Sequence, residues 1–452
     1  MSQILHGKLL QYVFSSMEDA VCVTEQKGAL RYANPSAKKL LGISASSTEE
    51  KKIWQLFPLI PENDDLIQLM IDTISSGKKV RPTVVKYVNS AGKEFTLRIS
   101  MNYTMDEDEK YIVFVMTDLT ELTRVNSAFA RYTSSDIAEY VLNSPEGEKQ
   151  GGHEREVSIL MSDLRGFTSM GAAMAPSGLV TVLNHYFEKM VEVIEKNHGT
   201  IIEFLGDGIF AVFGAPKQDP RHAFHAVACA IGMQNAMLEV NDWNRKNCFP
   251  ELEMGIGINS GLCVVGNIGS PQKMKYGCMG DTVNLAGRTE NFTIGRQIYI
   301  TENTRALLDR QLITAGEHSF IPKGGTAPLT IYDVHGLGKQ YRLLREEKIL
   351  WVYPAGQPQA VHIHTVYGKL VEEAYQTAYL TALSKDKRYA LLSTDAELKD
   401  LQNLMLFLHD DVYAKVIGRE ENEYRICFTS KPASFDDWAK EFVKGGYEAP
   451  VV

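Results

Sequence analysis

The chain has 452 residues, 44% hydrophobic and 23% charged, the composition of a globular protein of about three domains at roughly 150 residues each rather than of a disordered or fibrous chain. Lys and Arg number 47 against 56 acidic residues, a formal charge of -9, which argues against extended binding to nucleic acid or insertion into an anionic membrane. The six cysteines form no CxxC pair or zinc spacing, no apolar run approaches the roughly 18 residues of a membrane span, and the start shows no secretory pattern, so a cytoplasmic protein with reduced thiols is expected.

Residues 9–20, LLQYVFSSMEDA, have the spacing of an amphipathic helix. VCVTEQKGALRYANPSA then reads as two short strands about a Gly turn, followed by an Asn-Pro turn into a helix. KKVRPTVVKYVNSAGKEFTLRISMNYT and EKYIVFVMTDLT supply further strands, with turns at Asn89 to Gly92 and at Asp106 to Glu109. Residues 9–119 are thus expected to form a small antiparallel sheet flanked by short helices. In DAVCVTEQKGALRYANPSAKKLLG and FVMTDLTE this segment resembles a PAS sensor domain. The resemblance implies either a bound flavin, haem or small molecule, or dimerisation and signal relay alone. The one histidine before residue 120, His6, precedes the core, and Cys22 lies outside the Asn-Cys-Arg pattern of light-sensing flavin members. Relay or dimerisation with no tightly held PAS cofactor is therefore expected, an unidentified small-molecule or protein signal being the alternative.

From Glu121 to about Ser144, Leu122, Val125, Phe129, Ile137, Tyr140 and Val141 are placed to form helices that pair across a dimer. PEGEKQGGHE then makes a polar break. Residues 120–153 are read as a helical signalling linker, with an inert spacer as the alternative.

VSILMSDLRGFTSM is an apolar strand ending at Asp163 and opening through Gly166 into a turn and helix. A carboxylate at that exit suits a divalent cation, and the backbone N–H groups of Leu164, Arg165, Gly166, Phe167 and Thr168 suit phosphate oxygens. Taken alone, Asp163 reads equally well as a helix cap. A second carboxylate follows in GTIIEFLGDGIFAVFG, where two apolar strands flank a tight hairpin with Asp207 at its tip. Together the two aspartates suit one or two Mg2+ or Mn2+ ions. A third element, KMKYGCMGDTVNLAGRTE, joins a basic Gly-containing loop to a helix on which Asn284 and Arg288 share a face. An amide and a guanidinium there can orient a ribose and stabilise charge on a transferring phosphoryl group.

These elements, with GIGINSGLCVVGNIG and the later PKGG, resemble the catalytic domain of class III nucleotidyl cyclases over residues 154–337. The resemblance implies a ferredoxin-like βαββαβ core and a homodimer with active sites between subunits. It implies Asp163 and Asp207 as ligands of two Mg2+ or Mn2+ ions per site, Asn284 and Arg288 as the ribose-orienting and transition-state pair, and Lys323 as a triphosphate contact.

Adenylyl members of the family usually carry Lys four residues before the second metal aspartate; this chain carries Glu203. Guanine offers N1–H and an exocyclic amine to a carboxylate, whereas adenine turns an N1 acceptor towards it. At the other base-recognition position stands Gly277, so a contact to the guanine oxygen falls to backbone, water or a neighbour such as Lys275. GTP is the expected substrate and cyclic GMP with pyrophosphate the expected products. An adenylyl or dual-specificity cyclase and a catalytically inactive regulatory dimer are the alternatives.

Beyond residue 337, ILWVYPAGQPQAVHIHTVYGKLVEEAYQTAYLTAL suggests strands about a Pro-Gly break and then a long helix, and DAELKDLQNLMLFLHDDVYAKVI a second helix before the strand ENEYRICFTS. His362 and His364 share a strand face without a spaced third ligand, so packing roles are expected. The whole is thus an α+β multidomain chain: PAS-like unit, linker, cyclase unit, and an α/β appendage of open role at 338–452.

Overall fold

The computed structural model describes residues 9, 12–43, 51–76, 79–106, 109–308, 311–320, 328–343, 350–367, 370–420, 422–432 and 434–450. The chain divides into two compact units, Met1–Tyr132 and Thr133–Val452.

The first unit contains β1 (Ala20–Glu25), β2 (Leu30–Ala33), α1 (Pro35–Leu41), α2 (Asp64–Ser76), β3 (Val80–Val88), β4 (Glu94–Asp106) and β5 (Glu109–Asp118). The strands form an antiparallel sheet in the order β2-β1-β5-β4-β3. The Asn-Pro turn works as its residue types demand. Asn34 Oδ1 accepts the N–H groups of Val21 and Ala37, its Nδ2 donates to the Asp19 carbonyl, and Pro35 opens the helix. Cys22, Leu97, Ile99 and Phe114 from the sheet pack with Leu66 and Met70 from α2. Burial pushes the Cys22 thiol up to about 12, which makes it a core side chain rather than a reactive one. His6 lies outside the described residues.

α3 (Thr120–Thr133) follows, with Leu122 and Val125 exposed, and then α4 (Ser135–Asn143). Here one expectation is corrected. Ile137, Tyr140 and Val141 do not wait for a partner subunit: they pack in a cluster with Val157, Ile159, Ile202 and Tyr276 of their own chain, and Lys217 pairs with Asp136 and Glu139 along the same helix. An apolar helix face is satisfied by whichever surface is nearest, and the next sheet along the chain is covalently adjacent.

That sheet is built from β6 (Gly151–Leu164), α5 (Phe167–Ala173), α6 (Pro176–Lys196), β7 (Thr200–Leu205), β8 (Gly208–Phe213), α7 (His222–Lys246) and β9 (Met254–Ser270). The order β9-β6-β8-β7, antiparallel throughout, is the ferredoxin-like βαββαβ arrangement. Along β6, Leu160 and Leu164 face the core formed with α6 and α7, while Val157 and Ile159 face α4. β10 (Lys273–Met279), α8 (Asp281–Asn291), β11 (Ile298–Thr301), α9 (Glu302–Ala306), β12 (Leu312–Phe320), β13 (Leu329–Leu337) and β14 (Tyr341–Arg342) complete the layer. The segment read as a basic loop before α8 is β10, in register with β9 from Lys273 opposite Ser270 to Met279 opposite Val264.

The C-terminal region departs most from expectation. It comprises β15 (Leu350–Tyr353), β16 (Gln359–Tyr367), β17 (Leu370–Ser384), β18 (Tyr389–Ser393), β19 (Asn403–Phe407), β20 (Asp411–Glu420), β21 (Glu423–Ser430), α10 (Phe435–Phe442) and β22 (Tyr447–Pro450). Strands β16-β19-β20-β21-β18-β17 close into a ring through β16–β17 pairing. Both expected long helices are strands. In β17 the buried positions Ala378, Leu380 and Ala382 alternate with Tyr379 and Thr381, and in β19 and its turn Leu404, Leu406 and Leu408 do the same. Short apolar runs satisfy both periods, and the β-branched and aromatic residues decide for the strand. The sole α-helix of this region among the described residues, α10, sets Phe435 and Trp438 into the barrel core. His362 stacks on Tyr375 at 4.1 Å, and His364 Nδ1 lies 2.9 Å from the Glu372 carbonyl.

Candidate active site

Asp163 stands near the C-terminal end of β6, where pairing with β8 stops at Ser162 opposite Ile209 while pairing with β9 runs on to Leu164 opposite Met254. The β7–β8 hairpin brings Asp207 beside it. A methyl group at Gly208 would meet the Ser162 carbonyl at 2.7 Å and Asp163 Oδ1 at 3.4 Å, so glycine is what lets the hairpin tip close on β6. The backbone N–H of Leu164 serves both carboxylates. Burial, then the charges of Asp207 and Glu290, push Asp163 up to about 6; burial also raises Asp207. Two half-buried carboxylates, both raised by burial and Asp163 further by Asp207, form a site whose charge a divalent cation would relieve. Their donor set, oxygen only, suits a hard ion such as Mg2+ or Mn2+.

The following turn is built around Gly166, whose φ of 70° favours glycine, and α5 begins at Phe167 with no side-chain cap on its first N–H groups. Of the five residues expected to offer backbone N–H groups, Leu164 turns its N–H to the carboxylates and Arg165 donates its own to the Glu253 carbonyl at 2.7 Å. Gly166, Phe167 and Thr168 remain as candidate phosphate contacts. The Arg165 guanidinium lies 3.5 Å from Asp163 and is held by the Glu290 carboxylate and, at 2.7 Å, by Thr293 Oγ1.

Asn284 and Arg288 lie one turn apart on the exposed face of α8, whose opposite face buries Ala286, Thr289 and Glu290. Among the described residues, neither forms a hydrogen bond or ion pair with Asp163 or Asp207. The helix sits directly on β9 at Gly257, where an added methyl would meet the Glu290 nitrogen at 2.1 Å.

A bulge between Ile201 and Glu203 turns Glu203 outward on β7, where it meets Lys275 from β10 at 2.5 Å. Gly277 faces Gly266 across the β9–β10 ladder, and a side chain added there would meet nothing nearer than Ile268 Cδ1 at 3.6 Å. Glycine at 277 therefore leaves space rather than relieving a clash. Lys323 lies outside the described residues. Sequence reasoning missed Glu290, Thr293 and Glu253, which hold Arg165. No motif marks these contacts: Glu253 reaches Arg165 through the β6–β9 register, and Glu290 and Thr293 reach it from the end of α8 and the residues just after it.

Residues 150–336 match the family described as the adenylate and guanylate cyclase catalytic domain, and residues 18–121 match the PAS domain family. Adenylate cyclase 1 of Rhizobium meliloti (strain 1021) is 30% identical over 250 residues, which cover 53% of this chain and 38% of that protein. An adenylate cyclase of Anabaena cylindrica is 33% identical over 193 residues, covering 40% of this chain and 37% of that one. The chain thus spans little more than a third of the length of these curated relatives. A crystal structure of the guanylyl cyclase Cya2 is 46% identical, with a TM-score of 0.42, and covers 43% of this chain and 100% of that one.

Proposed function

We propose that this chain, in which a match to the PAS domain family precedes a match to the adenylate and guanylate cyclase catalytic domain, is a class III nucleotidyl cyclase that converts GTP into 3',5'-cyclic GMP and pyrophosphate. The observation that carries the purine choice is the Glu203–Lys275 pair. Guanine presents N1–H and the N2 amine side by side to the two carboxylate oxygens, and its O6 to the ammonium, three complementary hydrogen bonds in all.

In the reaction the 3'-hydroxyl oxygen attacks the α-phosphorus, the bond to the bridging oxygen of the departing pyrophosphate breaks, and the hydroxyl proton passes to Asp163, water or a substrate phosphate. Asp163 and Asp207 would hold two divalent ions, which when bound lower the pKa of the hydroxyl and neutralise the polyphosphate. The Gly166–Thr168 backbone receives phosphate oxygens, Asn284 orients the ribose, and Arg288 stabilises charge on the transferring group. Because Asn284 and Arg288 lie on an exposed helix face apart from the carboxylates, the complete site is shared in a homodimer, each protomer supplying one half. We retain residues 9–119 as the regulatory input, 120–153 as linker, 154–337 as the catalytic unit, and Lys323 as a triphosphate contact.

A second reading is adenylyl specificity. The same ion pair offers a carboxylate to the adenine N6 amine and an ammonium to its N1, two hydrogen bonds rather than three, and the two curated relatives compared are named adenylate cyclases. Purified full chain supplied with GTP labelled at the α-phosphate and with Mg2+ or Mn2+ tests the proposal. Cyclic GMP that disappears in Asp163→Ala and Asp207→Ala is expected; metal-dependent turnover surviving in either variant overturns the site.

A further inference from the structure

The C-terminal barrel touches the catalytic layer at the end of α8 and beside the turn that follows β6. Lys415 of β20 is only 3% exposed, and its ammonium donates to the carbonyls of Asn291, at 2.7 Å, and Thr293, at 3.3 Å. Asn291 is the last residue of α8, three beyond Arg288. The final carbonyls of a helix have no donors of their own and carry the negative end of its dipole, so a buried cation there caps the helix. An ammonium so deeply buried persists only with such partners. Burial, with the charge of Arg165 beside it, draws Lys415 down to about 7 against the attraction of Glu290.

The same few residues continue to the carboxylates. Thr293 Oγ1 and the Glu290 carbonyl, at 2.7 and 3.1 Å, accept from the Arg165 guanidinium, which faces Asp163 at 3.5 Å. A second contact runs parallel to the first. Arg388, ahead of β18 in the barrel, pairs with Glu253 at 2.9 Å, and the Glu253 carbonyl accepts the Arg165 backbone N–H. A third is proximity alone: a methyl on Gly166 would stand at ordinary van der Waals distance, 3.6 Å, from the Thr429 carbonyl of β21.

We infer that the C-terminal barrel is part of the catalytic apparatus, with Lys415 as a positioning residue that fixes the last turn of α8 and, through Thr293 and Arg165, the metal-site turn. In the shared-site dimer Lys415 therefore stands behind both half-sites of its protomer, Asp163 serving one active site and Arg288 the other. The kinetic consequence rests on the cyclase reading above; the structural one does not.

The test uses the full chain with Lys415→Met, which keeps the stem and removes the donors, and Lys415→Gln, which keeps one. Amide hydrogen exchange is followed across α8, with α7 and β21 as internal references, together with turnover and the affinity for 3'-deoxy-GTP, which lacks the attacking hydroxyl. Lys415→Met is expected to speed exchange in the last turn of α8 about tenfold and to lower kcat by about as much, while affinity for 3'-deoxy-GTP stays within about threefold and α7 and β21 keep their protection; Lys415→Gln falls between. Unchanged α8 exchange in either variant, or kcat within about twofold of the parent in a variant whose α8 has loosened, overturns the inference. A parent chain that cyclises neither GTP nor ATP contradicts the proposed reaction instead, and the exchange comparison still decides whether Lys415 holds the helix.

Discussion

Lys275 Nζ lies 2.5 Å from Glu203 Oε2, so a donor and an acceptor for a purine edge are held together on two strands distant in sequence. Gly277, at the other expected base-recognition position, carries no side chain and leaves room there. In Glu203→Gln the amide offers guanine one acceptor and one misplaced donor. Steady-state kinetics should show kcat/KM for GTP falling about tenfold, with ATP changed less than about threefold, since both groups are half exposed and the cost of a mismatch is at the low end of 1–3 kcal/mol. Equal losses on the two substrates would remove Glu203 from base selection.

The metal carboxylates give a pH signature. Asp163 titrates in the fold at about 6 against an ordinary 3.8, so between these values the native state keeps a proton that the unfolded chain has released. Stability of the cation-free protein therefore falls as pH rises through that window. A divalent ion must displace the proton to bind, and above the window there is none to displace. Thermal melts should show Mg2+ or Mn2+ raising Tm more at about pH 7.5 than at about pH 5. The Asp163→Asn and Asp207→Asn variants should lose most of that difference.

Half-sites on separate faces of one chain predict complementation. Asp207→Ala and Arg288→Ala homodimers should each be inactive. Mixed and allowed to exchange subunits, they should recover about a quarter of parental activity, because about half the dimers are mixed and each of these has one intact site. A mixture as inactive as its components would place the complete site within one subunit.

Gly257 is where α8 rests on β9, and an added methyl would fall 2.1 Å from the Glu290 nitrogen and 2.8 Å from the Ala286 carbonyl. These are backbone atoms with no side chain to swing aside. Gly257→Ala should cost about 1–3 kcal/mol of stability. Calorimetry would register this as a lower Tm, and turnover should fall further than stability because the helix carrying Asn284 and Arg288 is displaced.

The chemistry was more legible in the sequence than its scaffolding. Asp163 and Asp207 could be read because apolar strands deliver each to a turn, and Asn284 with Arg288 because helical spacing puts them on one face. The Glu203–Lys275 pair was half visible: each residue drew attention, but their contact depends on a bulge in β7 and on the antiparallel pairing of β10 with β9. Arg165 was read for its backbone, which is committed to Glu253, while its guanidinium proved the more connected group. Lys415 was out of reach, since an alternating strand such as β20 was read as helix, and a lone Lys there carries no sign of the helix end it meets. The apolar face of α4 was recognised, but what covers it was not, because periodicity reports that a face is buried and not against what.

The most direct measurement is a competition assay in which the purified chain meets equal concentrations of GTP and ATP in one reaction, with Mg2+ and with Mn2+, and the cyclic products are separated and counted. Cyclic GMP as the dominant product with both metals is the predicted result; cyclic AMP in excess would contradict the reading of Glu203 and Lys275 as a guanine site.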